Sequence, residues 1–221
     1  MQIKLNEHSV CFIFSTSLSF FDQITMNKNE IASQAMRQRI LSTTLEIVGN
    51  EGLAALTATK LGKKAGISKG ALYHHFDNLD AVKHAAVDEL ISMFLAVAEP
   101  ANFDDFESYL EVTGDTLYLT MKCEPYAMKA MYSFTAQALF DDQFRASIQR
   151  FSQHGLAEYT RAIDYFYQGK IPQHQIDTAI RVVDAFFLGV GLQSYLLQGE
   201  DKFRQNWALF SQMLLKQLGE K

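Results

Sequence analysis

The chain has 221 residues, a formal net charge of −5, 48% hydrophobic and 20% charged residues. This balance excludes an intrinsically disordered chain, and the length allows one or two domains with sizeable cores. Two cysteines, Cys11 and Cys123, are too few for a disulfide framework or a metal quartet and fit a reducing, cytoplasmic compartment; only three prolines in so long a chain favour long helices.

Residues 1–27 read as a disordered tail or a mis-annotated start. The apolar run at 10–21, VCFIFSTSLSFF, is too short to cross a bilayer as a helix and has no clear cleavage site after it. Met26 opens the run MNKNEIASQAMRQRI, and translation is expected to begin there. The first helix is expected over 30–51, where Met36, Ile40, Leu41, Leu45 and Val48 recur at helical spacing and Gly52 supplies a stop. Thr57 is placed to cap a short helix to residue 65, Gly66 breaks it, and Ser68 caps another to residue 76. Further helices are expected over 78–98, 103–121, 125–139, 141–168, 173–197 and 201–218, with Pro125 at a first helical position and Asp201 as a cap. No alternating, turn-bounded run suggests a strand. The sequence predicts an all-α protein of about nine helices, with an N-terminal helix-turn-helix head and a larger helical body. The division is placed at 28–80 for the head and 81–221 for the body.

Charge divides the same way. Residues 28–80 hold seven basic and five acidic residues, whereas 81–221 hold 12 and 18. Between residues 57 and 76 stand Lys60, Lys63, Lys64 and Lys69 with no carboxylate, a local cation in a net anion that suits a polyanionic partner. In the helix from Lys69, Leu72 and Phe76 share a face and meet Leu61, Ala65 and Ile67, leaving Gly70, Ala71 and His74 outward. Small residues let this helix tip approach base edges, while Tyr73 and the lysines suit phosphate and His74 suits a base contact.

The segment EGLAALT at 51–57, followed by KLGKKAGISKGALYHHFDN at 60–78, resembles the DNA-binding head of the TetR family of bacterial regulators. The G-[IV]-S-x-G-x-L-Y-x-x-F run is specific to that family, and the likeness covers about a quarter of the chain, from about residue 37 to 86. It implies base or groove contacts from Thr59, Gly70, Ala71 and His74, and phosphate contacts from Thr57, Lys69, Tyr73 and His75. Two positions depart from the family pattern. Leu79 stands where a lysine commonly opens the fourth helix, and Lys60 stands where an acidic or polar residue is common. The phosphate anchor is therefore expected to have moved to Lys60, Lys63 and Lys64.

Other motifs are set aside. The run from Gly66 to Gly70 matches G-x-S-x-G, but a nucleophile elbow needs a strand before its serine, so Ser68 is read as a cap. His74, His75 and His84 lack metal-ligand spacing, and Gly189 and Gly191 lack the third glycine and the strand of a dinucleotide fingerprint. No enzyme, cofactor or metal is expected.

In the body, the last two helices are apolar on more than one side, so a second face needs a partner. Val183, Phe187, Gly191, Leu192, Ser194, Trp207, Phe210 and Leu214 are expected at a homodimer interface, in line with the four-helix interface the family resemblance implies. The middle helices carry soft and aromatic side chains suited to a pocket. Phe106, Tyr109, Thr113, Tyr118, Met121, Met128, Met131, Tyr132, Gln137, Phe151 and His154 are the candidate lining, with Gln153 a further polar candidate; ordinary core packing is the competing reading for most. The expected function is a ligand-responsive transcriptional regulator, a repressor. It would bind double-stranded palindromic operator DNA as a homodimer and release it on binding a small amphipathic or apolar effector, with no membrane involved. The rival is a small-molecule-binding or interaction module that does not bind DNA.

Overall fold

The computed structural model describes residues 27–94, 99–197 and 202–219. Its described residues form nine α-helices and no strand: α1 Lys28–Glu51, α2 Ala58–Ala65, α3 Lys69–His75, α4 Leu79–Phe94, α5 Phe106–Cys123, α6 Pro125–Ala138, α7 Asp142–Tyr167, α8 Gln173–Leu196 and α9 Phe203–Gln217. Short 3₁₀ turns lie at Leu53–Ala55 and Pro100–Asn102. The expected tail and the proposed cap Asp201 lie outside the described residues, as does the last part of the helix expected to reach residue 98.

Local chemistry sets the helix ends. α1 starts two residues before its expected position because Asn27 and Glu30 form a capping box. The Asn27 side chain accepts from the Glu30 amide at 3.0 Å, and Glu30 accepts from the Asn27 amide at 2.8 Å. Gly52 ends α1 with φ 84°, a conformation that costs glycine little. Asn78 accepts from the Ala81 amide at 2.8 Å and so caps α4.

The helices sort into two compact units. One joins the described residues up to Met93 with Cys123–Gln149, and the other joins Phe94–Lys122 with Arg150–Lys221. The packing division thus differs from the functional division expected at residue 80, since α4, α6 and the first turns of α7 share a unit with α1 to α3. In this unit α1 lies along α6. A Cβ on Gly49 would fall 2.1 Å from the carbonyl oxygen of Tyr126, so the two helix backbones meet there with no room for a side chain. Ile40, Leu45, Ile47 and Val48 of α1, and Met128, Met131 and Phe134 of α6, are buried around this contact. Burying apolar surface stabilises by about 25 cal/mol per Å².

The second unit has its own core. Phe106, Tyr109 and Leu110 of α5 pack with Ile163 of α7, Ile180 and Val183 of α8, and Phe210 and Leu214 of α9. Here the Trp207 indole donates to the Leu110 carbonyl at 2.9 Å, and a Cβ on Gly114 would lie 2.1 Å from the indole nitrogen. The hydrogen bond fixes the ring, so α5 must carry glycine where the ring lies against it.

Helical glycines ordinarily cost about 1 kcal/mol relative to alanine. Gly49→Ala and Gly114→Ala should nevertheless each destabilise their unit, by about 1–3 kcal/mol of overpacking. Gly70→Ala, whose Cβ would meet only the Ser68 hydroxyl at 3.8 Å, should be neutral or stabilising. Urea unfolding of the three variants checks this order.

Candidate nucleic-acid interface

α2 and α3 form the helix-turn-helix. The Thr57 hydroxyl accepts from the Lys60 amide at 3.2 Å and caps α2. Gly66 adopts the left-handed conformation at φ 68°, and the Ile67 amide donates to the Gly62 carbonyl at 2.9 Å, closing a turn that passes tightly over Gly62. The Ser68 hydroxyl accepts from the Ala71 amide at 3.1 Å and starts α3. That serine is occupied as a cap and follows a helix and turn, as its sequence context predicted.

The underside of the motif is apolar. Leu61, Ala65 and Leu72 are fully buried, Phe76 nearly so, and Ile67 is half-buried. The outer face presents Lys69, Gly70, Tyr73 and His74 as exposed, with Ala71 and His75 half-buried. Thr57 and Thr59 at the start of α2 are exposed as well. The Lys69 ammonium lies 5.7 Å from the Tyr73 ring centroid, near enough for a cation–π contact that holds both side chains on one side of α3.

The lysine cluster is less free than its sequence suggests. Lys60 pairs with Glu51, and Lys64 pairs with Glu46 at 3.0 Å. Both carboxylates come from α1, so the acid-free stretch at 57–76 is not acid-free in space. Exposed pairs of this kind are worth about 0–1 kcal/mol, and a phosphate can displace them. Lys63 is exposed and has no ion-pair partner among the described residues. Lys83 of α4 pairs with Asp80 at 2.7 Å and is no ready substitute for the missing lysine at half-buried Leu79.

Arg37 was not foreseen. Its guanidinium sits 4.2 Å from the Phe76 ring centroid and donates to the His75 carbonyl at 3.3 Å, so α1 secures the end of the recognition helix. No local signal marks it, because its partners lie 38 and 39 positions onward.

The candidate pocket residues do not form one lining. Phe106 and Tyr109 are closed into an aromatic cluster with Phe166, and burial, with Glu158 nearby, pushes the Tyr109 phenol up to about 12. Thr113 donates back to the Tyr109 carbonyl at 2.8 Å within its own helix. Met128 and Met131 are core residues of the first unit, where Tyr132 and Gln137 are half-buried. Phe151 is buried, and His154 and Gln153 are exposed. Tyr118 and Met121 do line a cavity of about 230 Å³ in the second unit, with Val190, Ser194, Asn206 and Phe203.

The expected interface residues also separate. Val183, Gly191, Trp207, Phe210 and Leu214 are buried within their own unit, and Phe187 is half-buried. Side chains spent on the internal core cannot also face a partner, so these positions fit the core and not a contact surface. Leu192 and Ser194 remain exposed. The apolar residues left outward on α8 and α9 are Val182, Leu192, Leu196, Leu209 and Met213. Helical periodicity identified the apolar helices, but not which of their two apolar faces turns inward.

A capped helix-turn-helix on an all-helical frame, with a small-residue tip and flanking cations, defines a nucleic-acid reader of the helix-turn-helix class. Residues 40–86 match the family described as bacterial regulatory proteins, tetR family, and the chain spans 36% and 42% of the length of the first two curated relatives it matches. It is similar to the tetracycline repressor protein class C of Escherichia coli, 28% identical over 79 residues, an alignment spanning 36% of each chain. Among solved structures, its fold is similar to a putative TetR-family transcriptional regulator from Rhodococcus sp., at TM-score 0.71 and 15% identity over 84% of this chain and 100% of that one. It is also similar to the multidrug binding protein EbrR complexed with imidazole, at TM-score 0.60 and 20% identity over 84% and 96%.

Lys63→Ala should lower the slope of log affinity for DNA against log salt by ~0.9, the share of one lost phosphate contact. Lys60→Ala and Lys64→Ala should lower it less, because each lysine must first leave a carboxylate. Binding isotherms at several salt concentrations read all three. An unchanged slope in the combined Lys63→Ala, Lys64→Ala variant would remove this cluster as the anchor.

Proposed function

We propose that the protein is a ligand-responsive repressor that binds a palindromic operator as a homodimer and is released by a small, largely apolar effector. The observation that carries this reading is the outer face of α3, where Gly70 and Ala71 leave the helix tip slim between Lys69, Tyr73 and His74. A slim tip lets backbone and short side chains reach base edges while the flanking groups hold phosphate. In this reading Thr59, Gly70, Ala71 and His74 meet bases or the groove. Thr57, Lys69, Tyr73 and His75 position the backbone, with Lys60, Lys63 and Lys64 adding charge. Residues 28–80 serve as the DNA-binding head and 81–221 as the effector and dimer body, in a cytoplasmic regulator.

The dimer is proposed through the outward apolar stripe of α8 and α9, Val182, Leu192, Leu196, Leu209 and Met213. By length and composition alone, Gln173–Leu196 would also suit a membrane-crossing helix. Its inner face is built into a core through Ile176, Ile180 and Val183, which supports a packed helix with one face left for a second copy. Two recognition helices spaced about 34–36 Å apart then read two half-sites, which a single head could not hold with useful affinity. The cavity at Tyr118 and Met121 is the favoured effector site, and the small-molecule complex of EbrR supports a ligand-binding body. By linkage, operator DNA must weaken effector binding by the same factor that effector weakens DNA binding.

A gel shift on the DNA upstream of its own gene, at two salt concentrations, should show a salt-sensitive, saturable complex. No complex at low salt would favour a ligand-binding module without DNA binding. Leu192→Glu with Met213→Glu should turn a dimer into a folded monomer by sedimentation and abolish the shifted band at protein concentrations where the native chain is fully bound.

A further inference from the structure

Two of the four lysines in the helix-turn-helix are held from outside it. Lys60 and Lys64 stand four residues apart, so they share the face of α2 that turns to α1, and there they meet Glu51 and Glu46. Lys63 is exposed without such a partner among the described residues, and Lys69 is exposed on α3. Each side chain in the two pairs keeps between 39% and 43% of its surface in water. Pairs this open are screened and weak, so an approaching anion can exchange with the carboxylate. The exchange has a consequence on the α1 side. A lysine that swings to a phosphate leaves a carboxylate beside the same polyanion, and the two negative groups repel. Moving to DNA is therefore favourable only for a lysine that finds its phosphate at short range and in a fixed place.

That condition separates two kinds of complex. On an arbitrary sequence a protein is held by charge alone and slides and hops, so no phosphate stays in register with a given side chain. On an operator, base-edge contacts fix the register and each phosphate is held at a set position. We propose, on the reading of α2 and α3 as a DNA-binding motif, that Glu46 and Glu51 form a latch that withholds Lys60 and Lys64 from non-specific DNA and releases them only on the operator. Lys63 and Lys69 supply charge to both complexes, while the latched lysines supply it to one. The two α1 carboxylates are then specificity determinants, although they touch no base. Against a large excess of arbitrary sites, weak non-specific binding serves a reader as well as a tight operator complex does.

The full chain and its Glu46→Gln, Glu51→Gln variant are titrated, over a range of salt, against a random-sequence duplex and against the fragment upstream of its own gene. Freeing the two lysines should steepen the random-duplex slope of log affinity against log salt by ~0.9 for each, and raise that affinity roughly tenfold or more at about 0.1 M salt. The slope on the upstream fragment should stay where it is, since both lysines are already on phosphate there. Equal changes on the two duplexes, or an unchanged random-duplex slope, would overturn the latch. Heparin, a polyanion with no base edges, gives a second readout. The variant should elute from immobilised heparin at higher salt than a Glu107→Gln, Glu111→Gln variant, which makes the same change of net charge at exposed positions of α5. Co-elution of the two would overturn the proposal as well. If the native chain holds the upstream fragment no better than the random duplex, the operator reading fails, and the heparin comparison still decides the latch. Should the glutamine variant not fold, Lys60→Ala with Lys64→Ala takes its place: the slope should fall more on the upstream fragment than on the random duplex, and an equal fall on both refutes the latch.

Discussion

The placement of the recognition helix rests on a contact that contains no side chain on one of its faces. At Gly49 the backbone of α1 comes up against the backbone of α6 at Tyr126, closer than any Cβ permits. Contacts between side chains can adjust by changing rotamers, but a contact between two helix backbones cannot. α1 in turn holds the end of α3 through Arg37, which covers Phe76 and bonds the His75 carbonyl. A chain of rigid contacts thus runs from α6 through α1 to the helix that carries Gly70, Ala71 and His74. Each link stands on a different kind of interaction: steric fit, a cation over a ring, and a charged hydrogen bond.

Electrostatics in the head follows from the same helix. Glu46 and Glu51 of α1 hold Lys64 and Lys60, so two of the four lysines in the motif are parked against acids until a stronger anion arrives. Such pairs contribute little to stability in water. They do lower the positive potential of the free head, and the cost of breaking them is part of any phosphate contact those lysines make.

Much of the fold was legible because its signals are local. The stops at Gly52 and Gly66 and the caps at Thr57 and Ser68 act within four residues of where they sit, and the apolar underside of the motif follows from spacing alone. The capping box of Asn27 and Glu30 is equally local, but it lies ahead of the apolar repeat that marks α1 in the sequence. What the sequence did not disclose depends on neighbours far along the chain. The partners of Lys60 and Lys64 lie in the preceding helix, and Arg37 meets residues almost forty positions away. On α8 and α9 the apolar pattern is wide enough to hold two faces, so periodicity could not separate Val183 and Trp207, which are buried, from Val182 and Met213, which are exposed. The functional need for Gly114 is invisible without the indole that lies against it.

The seat of α1 on α6 also bears on how the protein can be re-engineered. Transplanting residues 28–80 from a relative would cut through a compact unit and set a foreign α1 against the native Tyr126 carbonyl. A donor with any side chain larger than hydrogen at position 49 could not seat without displacing α6. The portable module is the whole unit, which takes α6 and the first turns of α7 along with the helix-turn-helix. The natural seam for recombining specificities lies in the packing, and it is not continuous in the chain.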